Sequence, residues 1–352
     1  MEQKFSSFRV MAAANHSKNS AMEAENHVKH GKSHTSRRCR KSLALFILLI
    51  GAIVFSSCDK DKEDGDSDVY VVGRDGDRAV LWKNGVVQIL GDGRAESVFV
   101  SGSDVYVAGR DGDRAVLWKN GLAQYLTDGS NWAWANSVFV SGSDVYVAGF
   151  VAASIGAYGD AVLWKNGMQQ NLTKNDFFTS SSANSVFVSG NDVYVAGGTY
   201  FDGGVEMAEL WKNGETQILT LPNGHTGASS VFVSGGDVYV PVTGLLIDLQ
   251  GEEWVFITSG VLCKNGVAQY LFNDESASSV FVSGSDVYVV GSKTWKNGEV
   301  LYNNGGNSIY VSGSDIYVAG YIEGHGAVLW KNGEQQILSD DGSTTSVFVV
   351  KK

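Results

Sequence analysis

Residues 97–109 read SVFVSGSDVYVAG, and the same letters return at residues 137–149. Near copies begin at Ser185, Ser230, Ser279 and Ser308, the last reading SIYVSGSDIYVAG. SVFV and DVYV are β-branched and aromatic runs without a helical period, so each reads as a buried strand. The SGSD between them is a tight-turn composition. Each copy is therefore a short hairpin, and the chain is built by repeating it.

Working outward, the DVYV element begins at Asp68, Asp104, Asp144, Asp192, Asp237, Asp286 and, as DIYV, Asp315. The spacings are 36, 40, 48, 45, 49 and 29 residues. A KNG triplet follows each, at Lys83, Lys119, Lys165, Lys212, Lys264, Lys296 and Lys331. Five triplets are preceded by Leu-Trp, and each is followed by a short run such as VVQIL at 86–90 or EQQIL at 334–338. Asn-Gly between two such runs is a strong hairpin signal. Each unit thus holds four strands, and four-stranded units near 40-residue spacing predict a β-propeller. A lone unit leaves both faces of its sheet bare. Packing units around an axis covers both, which suits the Val, Phe, Tyr and Trp found in both alternating sets.

The first unit lacks its own SVFV, and the chain finishes with SVFVV at 346–350. The C-terminal strand is therefore expected beside residues 68–72. That gives an all-β, seven-bladed propeller over 68–352, closed in its first blade with no open blade edge. Trp82, Trp118, Trp164, Trp211, Trp295 and Trp330 recur at one strand position and read as core. Cys263 takes that position in blade five and reads as a small buried hydrophobe.

The chain carries 27 Lys plus Arg against 38 Asp plus Glu, a net charge of −11. The split is uneven: residues 1–57 are net +6 and the remainder net −17. A body this acidic argues against nucleic acid, whose phosphates need a basic footprint. Three cysteines, Cys39, Cys58 and Cys263, give neither a disulfide framework nor a zinc spacing.

Residues 1–36 are polar, hold four of the six histidines and show no apolar period, so they read as a disordered or misassigned extension. Residues 37–57 place a basic segment before an apolar run from Leu43 to Phe55. That run is shorter than the roughly 20 residues of a comfortable transmembrane helix and fits a secretory signal. Residues 58–67, CDKDKEDGDS, read as an acidic linker.

Ser56-Ser57 before Cys58 resembles the lipobox of bacterial lipoproteins, especially those of the Bacteroidetes. The acidic run after it resembles their surface-export stretch. The VYVAG and LWKNG motifs are similar to those of Bacteroidetes propeller lipoproteins, and the inferred strand order and closure resemble kelch-type propellers. The kelch double glycine is absent. The resemblance implies lipidation at Cys58, loss of residues 1–57 and an outer-membrane, surface-exposed location for a monomer. It supplies no catalytic residue.

The SGSD and KNG turns barely change between units, whereas the other two connections vary greatly. The connection between second and third strands spans 150–160, 198–207 and 242–259 in blades three to five, but only 292–294 in blade six. In an up-and-down blade both variable connections leave from one end, so one face of the disc carries all the variation. Function concentrates on such loops. Trp132, Trp134, Phe177, Phe178, Tyr200, Phe201 and Trp254 are the candidate ligand-binding residues, with Tyr158 and Tyr321 at the margins. Asp128, Asp160, Asp176, Asp202, Glu206 and Glu323 sit among them. Residues 242–259 are expected to form an extra hairpin on that face, with the second strand of blade five the least regular.

Only His225 and His325 fall in the propeller, and no GxSxG, HExxH or phosphate-binding loop occurs. The pairs Asp75/Asp77 and Asp111/Asp113 are followed by Arg78 and Arg114, which would neutralise them, so no metal or cofactor is assigned. The sequence reads best as a non-catalytic module binding a glycan or an envelope protein. Two alternatives stand beside it. One is a carboxylate-dependent glycoside hydrolase or polysaccharide lyase; the other is a structural component of an envelope complex.

Overall fold

The computed structural model describes residues 67–352 apart from 174–178, 203–204, 220–223, 251–252 and 274. The extension, the signal segment and the linker up to residue 66, with Cys58, lie outside the described residues. Every element among the described residues is a strand. The strands form seven antiparallel sheets arranged as the blades of a closed propeller, six of four strands and one of five.

Closure occurs in blade one. The C-terminal strand Gly342–Lys351 pairs with Ser67–Asp75, with Val350 opposite Asp68 and Ser346 opposite Val72. The SVFV strand is innermost in every blade. Phe99, Phe139, Phe187, Phe232, Phe281, Tyr310 and Phe348 contact one another in sequence and return to the start, with centroids 4.7–5.0 Å apart. This collar surrounds the axis. The serine two places before each ring ties the blades together: at six of the seven seams its Oγ accepts the N–H of the next blade's inner strand, at 3.1–3.4 Å.

One buried cluster fills each seam. The recurrent tryptophans lie there, 0–5% exposed, each contributing about 4–6 kcal/mol of gross transfer free energy. The glycine of VYVAG makes room first for the inner-strand carbonyl and, in several blades, for the tryptophan ring. A Cβ on Gly109 would stand 2.2 Å from the Arg94 carbonyl and 2.9 Å from the Trp118 ring; at Gly149 the distances to Trp134 O and the Trp164 ring are 2.0 and 2.7 Å.

Blade five changes both partners together. Val242 occupies the glycine position and Cys263 the tryptophan position. Both are buried in one cluster, so the larger residue on one strand fills space released by the smaller on the next. Burial pushes the Cys263 thiol up to about 11, as a small apolar residue requires. The first strand of this blade is split into Gly224–Ala228 and Phe232–Ser234.

The second strand of this blade, by contrast, is regular. Asp237–Gln250 pairs with Glu253–Lys264 without a register shift from Tyr239–Lys264 to Gln250–Glu253. The expected irregularity therefore lies in the first strand instead. Residues 242–259 form a hairpin, but one continuous with strands two and three rather than added to them. Uninterrupted pairing satisfies the backbone groups that the two strands turn toward each other.

Candidate functional site

The two faces of the disc differ in kind. On the uniform face every blade repeats one clamp. The KNG asparagine sits at φ +51 to +54° and the glycine after it at φ +77 to +86°, the geometry of a two-residue type I′ hairpin turn. Its amide nitrogen donates to the blade's DVYV aspartate at 2.8–3.0 Å. Its Oδ1 accepts the N–H of the residue after that aspartate at 2.8–2.9 Å. The KNG lysine reaches the same carboxylate at 2.6–3.2 Å. It also lies 5.0–5.6 Å from the centre of the DVYV tyrosine ring. Four side chains are thus used up in holding each turn.

The opposite face carries the variable connections. Trp132 and Trp134 lie not in a free loop but on the inner strand of blade three, Trp132–Ser141. They are half-buried, in edge contact at 5.4 Å, with Phe150 5.7 Å from Trp132 and the Arg110 guanidinium 4.6 Å over Trp134. Both indole N–H groups are buried and lack a partner. Tyr200 is half exposed and Phe201 partly buried at the end of strand Asp192–Phe201. Tyr158 donates to Asp202, joining the loops of blades three and four. Trp254 stands opposite Leu249 near the tip of the blade-five hairpin. Phe177 and Phe178 lie outside the described residues. The candidate residues therefore fall on three adjacent blades, with Trp132 and Trp134 in mutual contact.

A polar collar lies toward this face from the aromatic one, at the residue preceding each inner-strand serine. Asn136 and Asn184 donate to the carbonyls of Ala183 and Ala228 in the following blades at 3.0 Å. Asn307 donates to Thr344 O at 2.8 Å and Thr345 to Ala95 O at 2.8 Å. Glu96 is the acidic exception. Burial raises its pKa, opposed by Arg94 and Arg110, and Arg94 Nε stands 3.0 Å from its carboxylate.

Two more carboxyls have raised pKa values from burial. Asp160 is opposed by a bond from Thr173, and Glu209 by one from Thr199 Oγ1 at 2.9 Å. The three sit on three different blades, each bonded within its own. Arg78 and Arg114 close on Asp75 and Asp111 at 2.9 and 3.3 Å, as the DGDR spacing implies.

Beside the tall blades the rim drops. The third strand of blade six is only Thr294–Lys296. A cleft of about 630 Å³ opens at the seam of blades six and seven, lined by Ser276, Ser278, Gly291, Ser292, the run 303–307, Tyr321, Ile322, Trp330 and Gln335. The low rim was legible from the short connection at 292–294. The cleft lining was not, because it comes from six separate segments. The one local signal was the uncharged run NNGGN at 303–307.

These features define a closed seven-bladed β-propeller with one uniform and one variable face. No protein-family model matches the chain, and no curated protein matches it in sequence. Among solved structures it is similar to the computationally designed Ika8 protein, at 12% identity and a TM-score of 0.37, covering 77% of this chain and 96% of that one. It is similar to an acylaminoacyl peptidase of Pyrococcus horikoshii at 15% identity and a TM-score of 0.44, covering 78% of this chain and 51% of the peptidase. The chain thus spans about half the length of that peptidase. A polysaccharide lyase, ulvan lyase, matches at 11% identity and a TM-score of 0.41, covering 80% of each chain. Identities this low carry no activity from one chain to another.

Proposed function

We propose that the protein is a non-catalytic glycan-binding module of the bacterial cell envelope, anchored by lipid at Cys58 and presenting its variable face outward. The asymmetry of the disc supports this reading most. One face spends its charged and aromatic side chains on seven copies of one clamp. The other holds all the variation in loop length, half-exposed aromatics and a polar cleft. Aromatics such as Tyr200 offer an apolar face for a sugar ring and a hydroxyl for hydrogen bonding. The raised carboxyls each bond within their own blade, and no two of them are bonded to each other. The order of basic segment, apolar run, small residues and cysteine supports the anchor.

The test combines both parts. The full chain and its Cys58→Ser variant are compared for membrane fractionation and for binding to an array of immobilised oligosaccharides. Cys58→Ser is expected to move the protein into the soluble fraction with its glycan binding retained. A soluble wild type, or an array silent for both proteins, overturns the corresponding half of the reading.

A further inference from the structure

We infer that the cleft at the seam of blades six and seven is a binding subsite for an uncharged saccharide. The inference rests on the glycan-binding reading and narrows it to one place and one ligand class. Its volume of about 630 Å³ lies within the roughly 300–1,000 Å³ of small-ligand sites. Its polar lining is made of amides and hydroxyls, groups that donate and accept hydrogen bonds at once and so match sugar hydroxyls in either sense. No residue lining it is charged, although the molecule is strongly acidic. The nearest charges on the blade-six turn, Lys293 and Glu275, close on each other at 2.6 Å. A uronate or sulfate there would find no cation among the lining residues, and Lys293 beside them is already paired.

The walls are set in place before any ligand arrives. Thr294 Oγ1 donates to the Asn304 carbonyl at 2.9 Å, and Gly306 N–H donates to Gly291 O at 2.9 Å. Gly305 lies so close to the blade-six turn that a Cβ would stand 2.3 Å from Gly291 O. Ser292 Oγ accepts the Ser276 N–H at 2.9 Å. Against this fixed frame the Asn304 amide nitrogen is buried without a partner. An unfilled buried donor is costly, and a turn of the Asn304 side chain toward the cleft would let a ligand acceptor fill it. Tyr321, 53% exposed, stands at the edge as an open aromatic surface. Asn304 and Ser292 line the same cleft as Tyr321, so a pyranose ring stacked on Tyr321 would share it with an amide and a hydroxyl.

The full chain is titrated with neutral gluco-, manno-, galacto- and xylo-oligosaccharides and, in parallel, with oligogalacturonate and a sulfated oligosaccharide. Binding of a neutral probe is expected. Tyr321→Ala and Asn304→Ala should each weaken it roughly tenfold. Asn304→Asp, which adds charge at constant size, should weaken it at least as much. Circular dichroism of all three should match the parent, since neither side chain is part of the core. Binding confined to the charged probes overturns the inference. So does neutral binding unchanged in these variants but lost in Tyr200→Ala, an outcome that leaves the glycan-binding reading standing. Silence with every probe removes both.

Discussion

At the residue scale, Glu96 is the one acid at a position where other blades carry an amide or a hydroxyl. Its counterparts Asn136, Asn184, Asn307 and Thr345 each donate to a carbonyl of the neighbouring blade. An ionised glutamate has no proton to give, and its burial raises its pKa. A carboxyl whose pKa is higher folded than unfolded costs stability once pH rises through that interval, and costs nothing below the ordinary 4.5. Glu96→Asn is therefore expected to stabilise the propeller by about 1 kcal/mol at neutral pH, by supplying the missing donor. Thermal melts should show the gain shrinking toward about pH 4. A variant that melts lower at both ends would mean the Arg94 pair outweighs the missing bond.

At the element scale, the KNG hairpin shows why a triplet recurs unchanged while its neighbours drift. Asparagine serves both the positive φ of its turn and two hydrogen bonds to the second strand. Asn332→Ala is expected to cost about 2–4 kcal/mol, combining left-handed strain with lost bonds. Asn332→Gly, which keeps the φ and loses only the bonds, should cost less. Equal losses in chemical denaturation would refute the division. The clamp also shapes the acid response. Bonds from Asn84, Lys352 and Lys83 lower the Asp68 pKa from 3.8 to about 2. Its counterparts are lowered by their own lysines and asparagines. A depressed carboxyl adds stability above its unfolded pKa and loses it as pH falls toward the folded value. The clamps thus weaken below about pH 4, and less sharply in high salt, since they are exposed.

At the scale of the whole molecule, the ring depends on its last strand. Residues 346–352 supply most of the inner strand of blade one, the Phe348 member of the aromatic collar and the Ser346 contact to blade two. Deleting them opens two seams and bares a sheet edge. The expected loss approaches the roughly 5–15 kcal/mol stability of a whole domain. Size-exclusion chromatography and thermal melting should find aggregated or unfolded protein; a monomeric truncate with an unchanged melt would refute the closure argument.

The blade count, the four-strand unit and the closing strand were all legible in the sequence, because each follows from local patterns: period, turn chemistry and a missing first strand answered by a spare last one. The uniform face was legible for the same reason. Trp132 and Trp134 were read as loop residues because nothing local shows that the inner strand of blade three begins at Trp132. That extension follows from pairing with Phe150 and Ala152. Only the tertiary structure reveals that Val242 and Cys263 compensate each other, that Glu96 interrupts a ring of donors, and that Ser276, Ser292, Asn304 and Tyr321 line one cleft. In each case the residues are distant in the chain and meet only when the sheets stack around the axis. Repeats fix which strands pair; side-chain volumes and hydrogen bonds across the seams decide what those pairs enclose.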